Sequence, residues 1–202
     1  MPPLPGLDVS RETRAKLVKL ETLVRKWTKR INLIAPASVA DIWTRHILDS
    51  AQLFSIAPPH THWADLGSGG GFPGLVIAIL RQEKMPDAHM DLVESDQRKA
   101  TFLRTATREL DLPVTTHTAR IEELEPLNAP IVSARALASL PDLLSHACRH
   151  LSADGTALFL KGRNRAEEIS AARRDWDFAM TETRSMTDPE AAVLRIERIT
   201  RV

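Results

Sequence analysis

The chain is short of the residues that build disulfides, aromatic platforms and membrane spans. Its 202 residues include one cysteine, Cys148, and no tyrosine, so five phenylalanines and four tryptophans are all its aromatics. A single thiol excludes a disulfide framework and a cysteine-based zinc site, and no metal centre is expected. Cys148 falls in the apolar pattern Leu140, Leu143, Leu144, Ala147, Leu151, which predicts a core or near-core position and not a catalytic thiol. With so few aromatics a broad base-stacking surface is excluded, and any nucleic acid must be recognised by shape and phosphate contact. No apolar run reaches membrane-spanning length, and Met1-Pro2-Pro3-Leu4-Pro5-Gly6 lacks the charged-then-apolar build of a signal peptide. A cytoplasmic protein with no membrane partner is expected. The length suits one α/β domain with a substantial core and a small extension; there is no internal repeat.

What is present centres on Trp63-Ala64-Asp65-Leu66-Gly67-Ser68-Gly69-Gly70-Gly71-Phe72-Pro73-Gly74, followed by the apolar run Leu75 to Leu80. This reads as strand, glycine loop, helix. Glycines let the backbone turn sharply and approach a ligand, and the helix start offers N–H groups to it. Two cofactors compete for such a loop. Gly69-x-Gly71-x-x-Gly74 with Glu94 downstream satisfies the dinucleotide pattern. Asp65-x-Gly67-x-Gly69-x-Gly71 resembles motif I of S-adenosylmethionine-dependent methyltransferases. The acid favours the second reading, because a carboxylate at the strand end suits the cationic amino-acid end of that cofactor and repels a pyrophosphate. Pro73 also removes a backbone donor where a pyrophosphate needs one.

A formal charge of +1 gives no bulk attraction to nucleic acid, but the charges are unevenly placed. Residues 11 to 30 carry eight Lys or Arg, among them Lys29 and Arg30, against Glu12 and Glu21. Lys161, Arg163 and Arg165 form a second basic group. Either cluster can track a phosphate backbone or be a solvated face.

Ser10 caps a predicted helix with Leu17, Leu20, Val24, Trp27 and Ile31 on one face and the basic residues on the other. Asn32-Leu33-Ile34-Ala35-Pro36 breaks it, and Ser38 opens a second helix that ends at Pro58-Pro59. Residues 1–60 are thus an N-terminal helical extension and 61–202 the main domain. From Trp63, strands alternate with helices: Met90–Glu94, Val114–Thr118, Ile131–Ala134, and Ala157–Lys161 after a turn at Asp154-Gly155. Two alternating segments, Phe178 to Met186 and Ala192 to Thr200, close the chain as a hairpin. The expected fold is α/β and Rossmann-like, a mostly parallel seven-stranded sheet with helices on both faces. Ligands then collect at the carboxyl ends of the strands, where Asp65, Glu94, Glu122 and Arg135 converge.

Glu94 is placed to hold ribose hydroxyls, and Ile121 and Glu122 to border an adenine; Glu122 and Glu123 are equally readable as acids in a helix's first turn. Methylating a pyrimidine carbon needs a cysteine, and methylating an exocyclic amine usually uses an Asn/Asp-Pro-Pro-aromatic motif where this chain has Ser133-Ala134-Arg135-Ala136. What remains is a nucleophile with a ready lone pair, such as guanine N7, for which catalysis is mainly alignment. Arg135 can hold guanine O6, a phosphate or the cofactor's carboxylate, or be a structural ion pair.

Asp65 to Gly74, Val93-Glu94-Ser95-Asp96-Gln97-Arg98-Lys99 with Phe102-Leu103, Ala134-Arg135-Ala136 and Leu160-Lys161-Gly162 resemble the RsmG family, formerly GidB. Trp27-x-x-x-Ile31-Asn32-Leu33 and Arg45-His46-Ile47-Leu48-Asp49-Ser50 are similar to its N-terminal segment, so the match runs from about Trp27 to Gly162. The resemblance implies a class I methyltransferase that makes 7-methylguanosine in the decoding-region 530 loop of 16S rRNA, conventionally at G527, on free rRNA or the 30S particle, as a monomer. It implies cofactor contacts at Gly67, Phe72, Ile121, Glu122 and Arg135, with Glu94 expected from the wider methyltransferase pattern; Asp65 and Gly69 join them from the motif I reading, and Arg135 is the candidate catalytic residue. Lys161 is implied as an RNA-phosphate contact, with a solvated strand end as the bland reading. His46 is expected to satisfy a hydrogen bond where the extension meets the core. The tail from Asp175 to Val202 carries little of the family's signature. Other readings are a methyltransferase for a different RNA or a small molecule, an NAD-binding reductase, and a non-catalytic RNA-binding assembly protein.

Overall fold

A computed structural model describes Leu4 and residues 6–202. Helix α1, Arg11–Thr28, begins where Ser10 Oγ accepts the Thr13 N–H at 3.1 Å, and it buries Leu17, Leu20, Leu23 and Val24 against α3 (Gly74–Lys84) and α4 (Gln97–Leu110). Part of its basic face fastens it down: Lys16 Nζ donates to Gln82 on α3, Lys19 Nζ to the Glu109 carbonyl on α4, and Arg25 to the Val39 carbonyl.

The second helical segment differs from the expectation. Ser38 does not cap it, because its hydroxyl donates back to the Ala35 carbonyl at 2.8 Å. A 3₁₀ turn, Pro36–Asp41, leads into a π-helical stretch, Trp43–Leu48, and then α2, Asp49–Ile56. The wider π turn carries Arg45 and His46, and such segments recur at functional sites because they re-aim side chains.

The sheet runs β3-β2-β1-β4-β5-β7-β6, with β1 His62–Leu66, β2 His89–Val93, β3 Val114–His117, β4 Ala129–Arg135, β5 Leu151–Lys161, β6 Trp176–Arg184 and β7 Ala192–Arg201. The first five are parallel, and β7 enters antiparallel beside β5. Strand alternation divides the core into two. Trp63, Met90, Leu92, Ile131 and Leu158 face α1, α3 and α4; Ala64, Val93, Val132, Ala157 and Phe159 face α5 (Leu140–His150) and α6 (Arg165–Ala172). The first of these cores also takes in Ile42, Ile47 and Leu53, so the N-terminal segment shares it with the main sheet.

Two local expectations are corrected. Asp154-Gly155 does not separate helix from strand: it lies within β5, in the irregularity between the pairs Ala129–Leu151 and Ile131–Thr156, where β5 bulges and re-enters register. Cys148 is exposed, because α5 turns Leu143, Leu144 and Ala147 inward and the next position rotates out; its thiol lies 3.7 Å from the Ile199 carbonyl.

At the crossing of β1, β4 and α3 sits the fully buried Asp65. Oδ2 accepts the Gly74 N–H at 3.1 Å, Oδ1 accepts the Ser133 hydroxyl at 2.7 Å, and Ser133 accepts the Trp63 indole N–H at 2.9 Å. Burial raises Asp65 from the ordinary 3.8 to about 6, against the pull of the Ser133 and Gly74 hydrogen bonds and Arg135.

Two outcomes follow. A Cβ on Gly74 would collide with Leu92 Cδ2 and lie 2.8 Å from Asp65 Oδ2, so Gly74→Ala is expected to lower stability by about 1–3 kcal/mol in urea unfolding. Because Asp65 keeps its proton in the folded state above its unfolded pKa, its contribution is largest below pH 4 and is lost as pH rises towards 6. Between pH 4 and 7 the wild type should therefore lose up to about 3 kcal/mol relative to Asp65→Asn, and parallel pH–stability curves for the two would contradict this.

Candidate cofactor and substrate site

A cavity of about 1160 Å³ opens over the carboxyl ends of β1, β2 and β4. Its floor is the loop after β1, in which Gly67, Gly69 and Gly71 take φ of +66°, +54° and +85°, conformations that side chains rarely adopt. A Cβ on Gly69 would meet no atom nearer than the Gly67 carbonyl at 3.8 Å, so a side chain there would stand in open space beside the loop. The carbonyl of Leu33 closes over Gly70, and Leu33, Ile34 and Ser38 extend the wall.

Glu94, just beyond β2, braces that loop. Its Oε2 accepts the Gly69 N–H at 2.9 Å and its Oε1 the Asp96 N–H at 2.8 Å, so both oxygens are held in place at the cavity's edge. Each oxygen retains acceptor capacity for a hydroxyl. Ile121 and Glu122 line the next stretch of wall, buried and exposed respectively, and the His150 Nε2 contact to the Ile121 carbonyl at 2.9 Å anchors their segment.

Asp65 stands elsewhere than the sequence suggested. Its side chain points to the α3 side of the sheet with Trp63, beneath the loop and not into the cavity. The α3 N-terminus therefore already holds a carboxylate, which satisfies its dipole and its Gly74 N–H. A pyrophosphate placed there would find the donor taken and a like charge beside it, which removes the physical basis of the dinucleotide reading.

Arg135, at the end of β4, is the cation of the site. NH1 donates to the Arg45 carbonyl at 3.0 Å and to Asp49 Oδ2 at 3.3 Å, and NH2 donates to His46 Nδ1 at 2.7 Å. Its guanidinium lies 5.3 Å from the Phe72 ring centre, and the His46 ring stacks on the same phenylalanine at 4.9 Å. Burial, with Arg135 and Arg45 nearby, lowers His46 to about 4, so the imidazole is neutral and accepts through Nδ1. Its Nε2 has no partner among the described residues. His46 thus makes the hydrogen bond between extension and core that was expected of it, while Asp49 had no role in the sequence reading; nothing in spacing alone could bring the π-helical turn to the end of β4.

The basic residues divide. Lys161 is neither a free cation nor a solvated strand end: it is buried, paired with Glu168 at 2.5 Å, and donates to the Ala138 carbonyl. Arg165 is bound to Glu182 and the Glu190 carbonyl. Arg163 is exposed, lines the cavity and pairs with Glu190 at 3.3 Å. Lys29 and Arg30 are exposed at the end of α1. Arg45, Lys99 and Arg120 also line the cavity; being scattered along the chain, they formed no visible cluster. The connection between β6 and β7, Thr187 to Ala191, completes the wall and gives the tail its place in the site.

With this geometry in hand, the comparisons are specific. A family model described as rRNA small subunit methyltransferase G matches residues 13–195. Ribosomal RNA small subunit methyltransferase G of Cereibacter sphaeroides is 51% identical over 200 residues, covering 98% of this chain and 97% of its own; that of Ruegeria pomeroyi is 50% identical, covering 97% and 96%. Among solved structures, a ribosomal protein L11 methylase from Lactobacillus delbrueckii subsp. bulgaricus superposes with a TM-score of 0.60 at 17% identity, over 76% of this chain and 78% of its own, a likeness of fold. The chain belongs to the rRNA small subunit methyltransferase G family and has the Rossmann-like fold of a methyltransferase.

Proposed function

We propose that the protein transfers a methyl group from S-adenosylmethionine to N7 of a guanine in 16S rRNA, the residue conventionally numbered G527 in the 530 loop. The observation that carries the chemistry is what stands at the end of β4. Arg135 occupies that position, the neighbouring His46 is a neutral hydrogen-bond acceptor to it, and Cys148 lies on the outer side of α5. Among the described residues, a nucleophile that must form a covalent adduct finds no thiol there, and one that must lose a proton finds only acceptors already held by Arg135, the His46 imidazole and the Asp49 carboxylate. Guanine N7 needs neither.

Glu94 would hold the cofactor's ribose, the loop Gly67 to Gly71 its backbone-facing edge, and Ile121 with Glu122 its adenine. When bound, the cofactor supplies a methyl group on a sulfonium centre: the S–CH₃ bond breaks as N7–CH₃ forms, the electron pair stays on sulfur, and no proton leaves. The protein's part is to align and to exclude water. Arg135, pre-positioned by Arg45, His46 and Asp49, donates to guanine O6 and leaves N7 open. Arg45, Lys99, Arg120 and Arg163 around the cavity supply contacts for RNA phosphates, which supports RNA over a small molecule as substrate.

Radiolabelled methyl transfer to 16S rRNA and to 30S particles lacking the modification, mapped by N7-specific strand cleavage, tests this. Label is expected at the single guanine, and Arg135→Ala should lower the rate about 100-fold or more. Label on an exocyclic amine, or none on either substrate, would overturn the reading.

A further inference from the structure

A second cavity, of about 510 Å³, adjoins the first and is bordered by Gln52, Leu160, Glu168 and Ser185. Asp49 and Arg135 line both. The two oxygens of Asp49 are used unequally. Oδ1 accepts from the Gln52 amide at 2.9 Å, the Thr187 hydroxyl at 3.0 Å and the Ser185 hydroxyl at 3.3 Å. Oδ2 has one donor, Arg135 NH1, at 3.3 Å. A carboxylate offers about four lone-pair sites, so Oδ2, with one donor, keeps an acceptor position beside the guanidinium while the crowded contacts on Oδ1 fix its direction. Glu168, the other acid of the smaller cavity, is committed to Lys161 and the Leu140 N–H.

A guanidinium donor next to a carboxylate acceptor is the complement of an O6 acceptor next to an N1–H donor. We infer that Asp49 Oδ2 accepts the N1–H of the target guanine while Arg135 donates to its O6, making Asp49 the base-specificity residue. This rests on the guanine-N7 reading above. Adenine and cytosine present the reverse order, an amine beside a ring lone pair, and would set donor against donor and lone pair against carboxylate. Uracil presents the same order as guanine but has no N7. With O6 and N1–H held, N7 stays free on the far side of O6. Transfer leaves the purine cationic and its N1–H a stronger donor, so the contact tightens as the methyl moves.

Single-turnover methyl transfer would be measured on 30S particles assembled from ligated 16S rRNA carrying guanosine, inosine or 2-aminopurine at the target. Inosine keeps O6 and N1–H; 2-aminopurine keeps N7 but lacks O6 and offers a lone pair at N1. The wild type should methylate guanosine and inosine at similar rates and 2-aminopurine at least about tenfold more slowly. In Asp49→Asn the amide can donate to that lone pair, and the guanosine to 2-aminopurine ratio should fall about tenfold or more. Ser185→Ala combined with Thr187→Val loosens Oδ1 but keeps Oδ2, so that ratio should stay near wild type. A wild type indifferent to 2-aminopurine overturns the inference alone. So does an Asp49→Asn ratio that does not move, or a hydroxyl variant that shifts the ratio as far as Asp49→Asn does, since the residue would then be structural. A wild type that leaves guanosine unlabelled overturns the guanine-N7 reading and this inference with it.

Discussion

One buried carboxylate sets the geometry on which the site depends. Asp65, one residue before the end of β1, is fully buried, and its two oxygens tie the start of α3 to the neighbouring strand through Gly74 and Ser133. A buried charge is costly unless its lone pairs are filled, so the loop between β1 and α3 has few arrangements open to it. The positive φ of Gly67, Gly69 and Gly71 lets the chain climb over that carboxylate and return to it within nine residues. Glu94 then holds the loop from above through the Gly69 N–H. Two acids on opposite sides of one glycine loop do different work: Asp65 sets its base, and Glu94 offers its remaining lone pairs to the cavity.

The other end of the site is assembled from segments far apart in sequence. Arg135 leaves β4 and finds its partners in Arg45, His46 and Asp49, while Asp49 reaches on to Ser185 and Thr187 beyond β6. The N-terminal segment and the closing hairpin therefore meet at the side chain where substrate is placed. Arg135 is desolvated and charged, yet a polar partner stands against each of its terminal nitrogens, and Phe72 lies by the guanidinium. Such an arrangement fixes direction, which is what an alignment reaction asks of a cation.

The sheet was legible because the short, mostly apolar runs Trp63 to Leu66, Met90 to Val93 and Ala157 to Leu160 are set between helical segments, as buried parallel strands are, and because glycine loop and helix follow the first of these directly. The closing hairpin was visible from its alternating apolar and polar residues. The π-helical turn was not, since its apolar spacing matches that of an ordinary helix and only the hydrogen bonds distinguish them. Asp65 reads from the glycine motif as facing the cofactor, whereas alternation along β1 puts it with Trp63 on the α3 side, where Gly74 and Ser133 occupy its oxygens. Lys161 read as an exposed cation because sequence cannot show Glu168 folding back from α6 to meet it. Scattered Arg45, Lys99 and Arg120 escaped notice for lack of any local pattern, although the fold brings them to one cavity.

The most direct test of this account is calorimetric binding of S-adenosylhomocysteine to the wild type and to Glu94→Gln, without RNA. The glycine loop and Glu94 are already in place, so the wild type should bind the product cofactor at one site. Glu94→Gln loses the charge that strengthens a hydroxyl contact and one of the two acceptor oxygens that hold the Gly69 and Asp96 N–H groups, so its affinity should fall about tenfold or more while its stability in urea unfolding falls by no more than about 1–3 kcal/mol. Equal affinities would remove Glu94 from the cofactor site, and with it the claim that the crevice over β1 and β2 is the cradle.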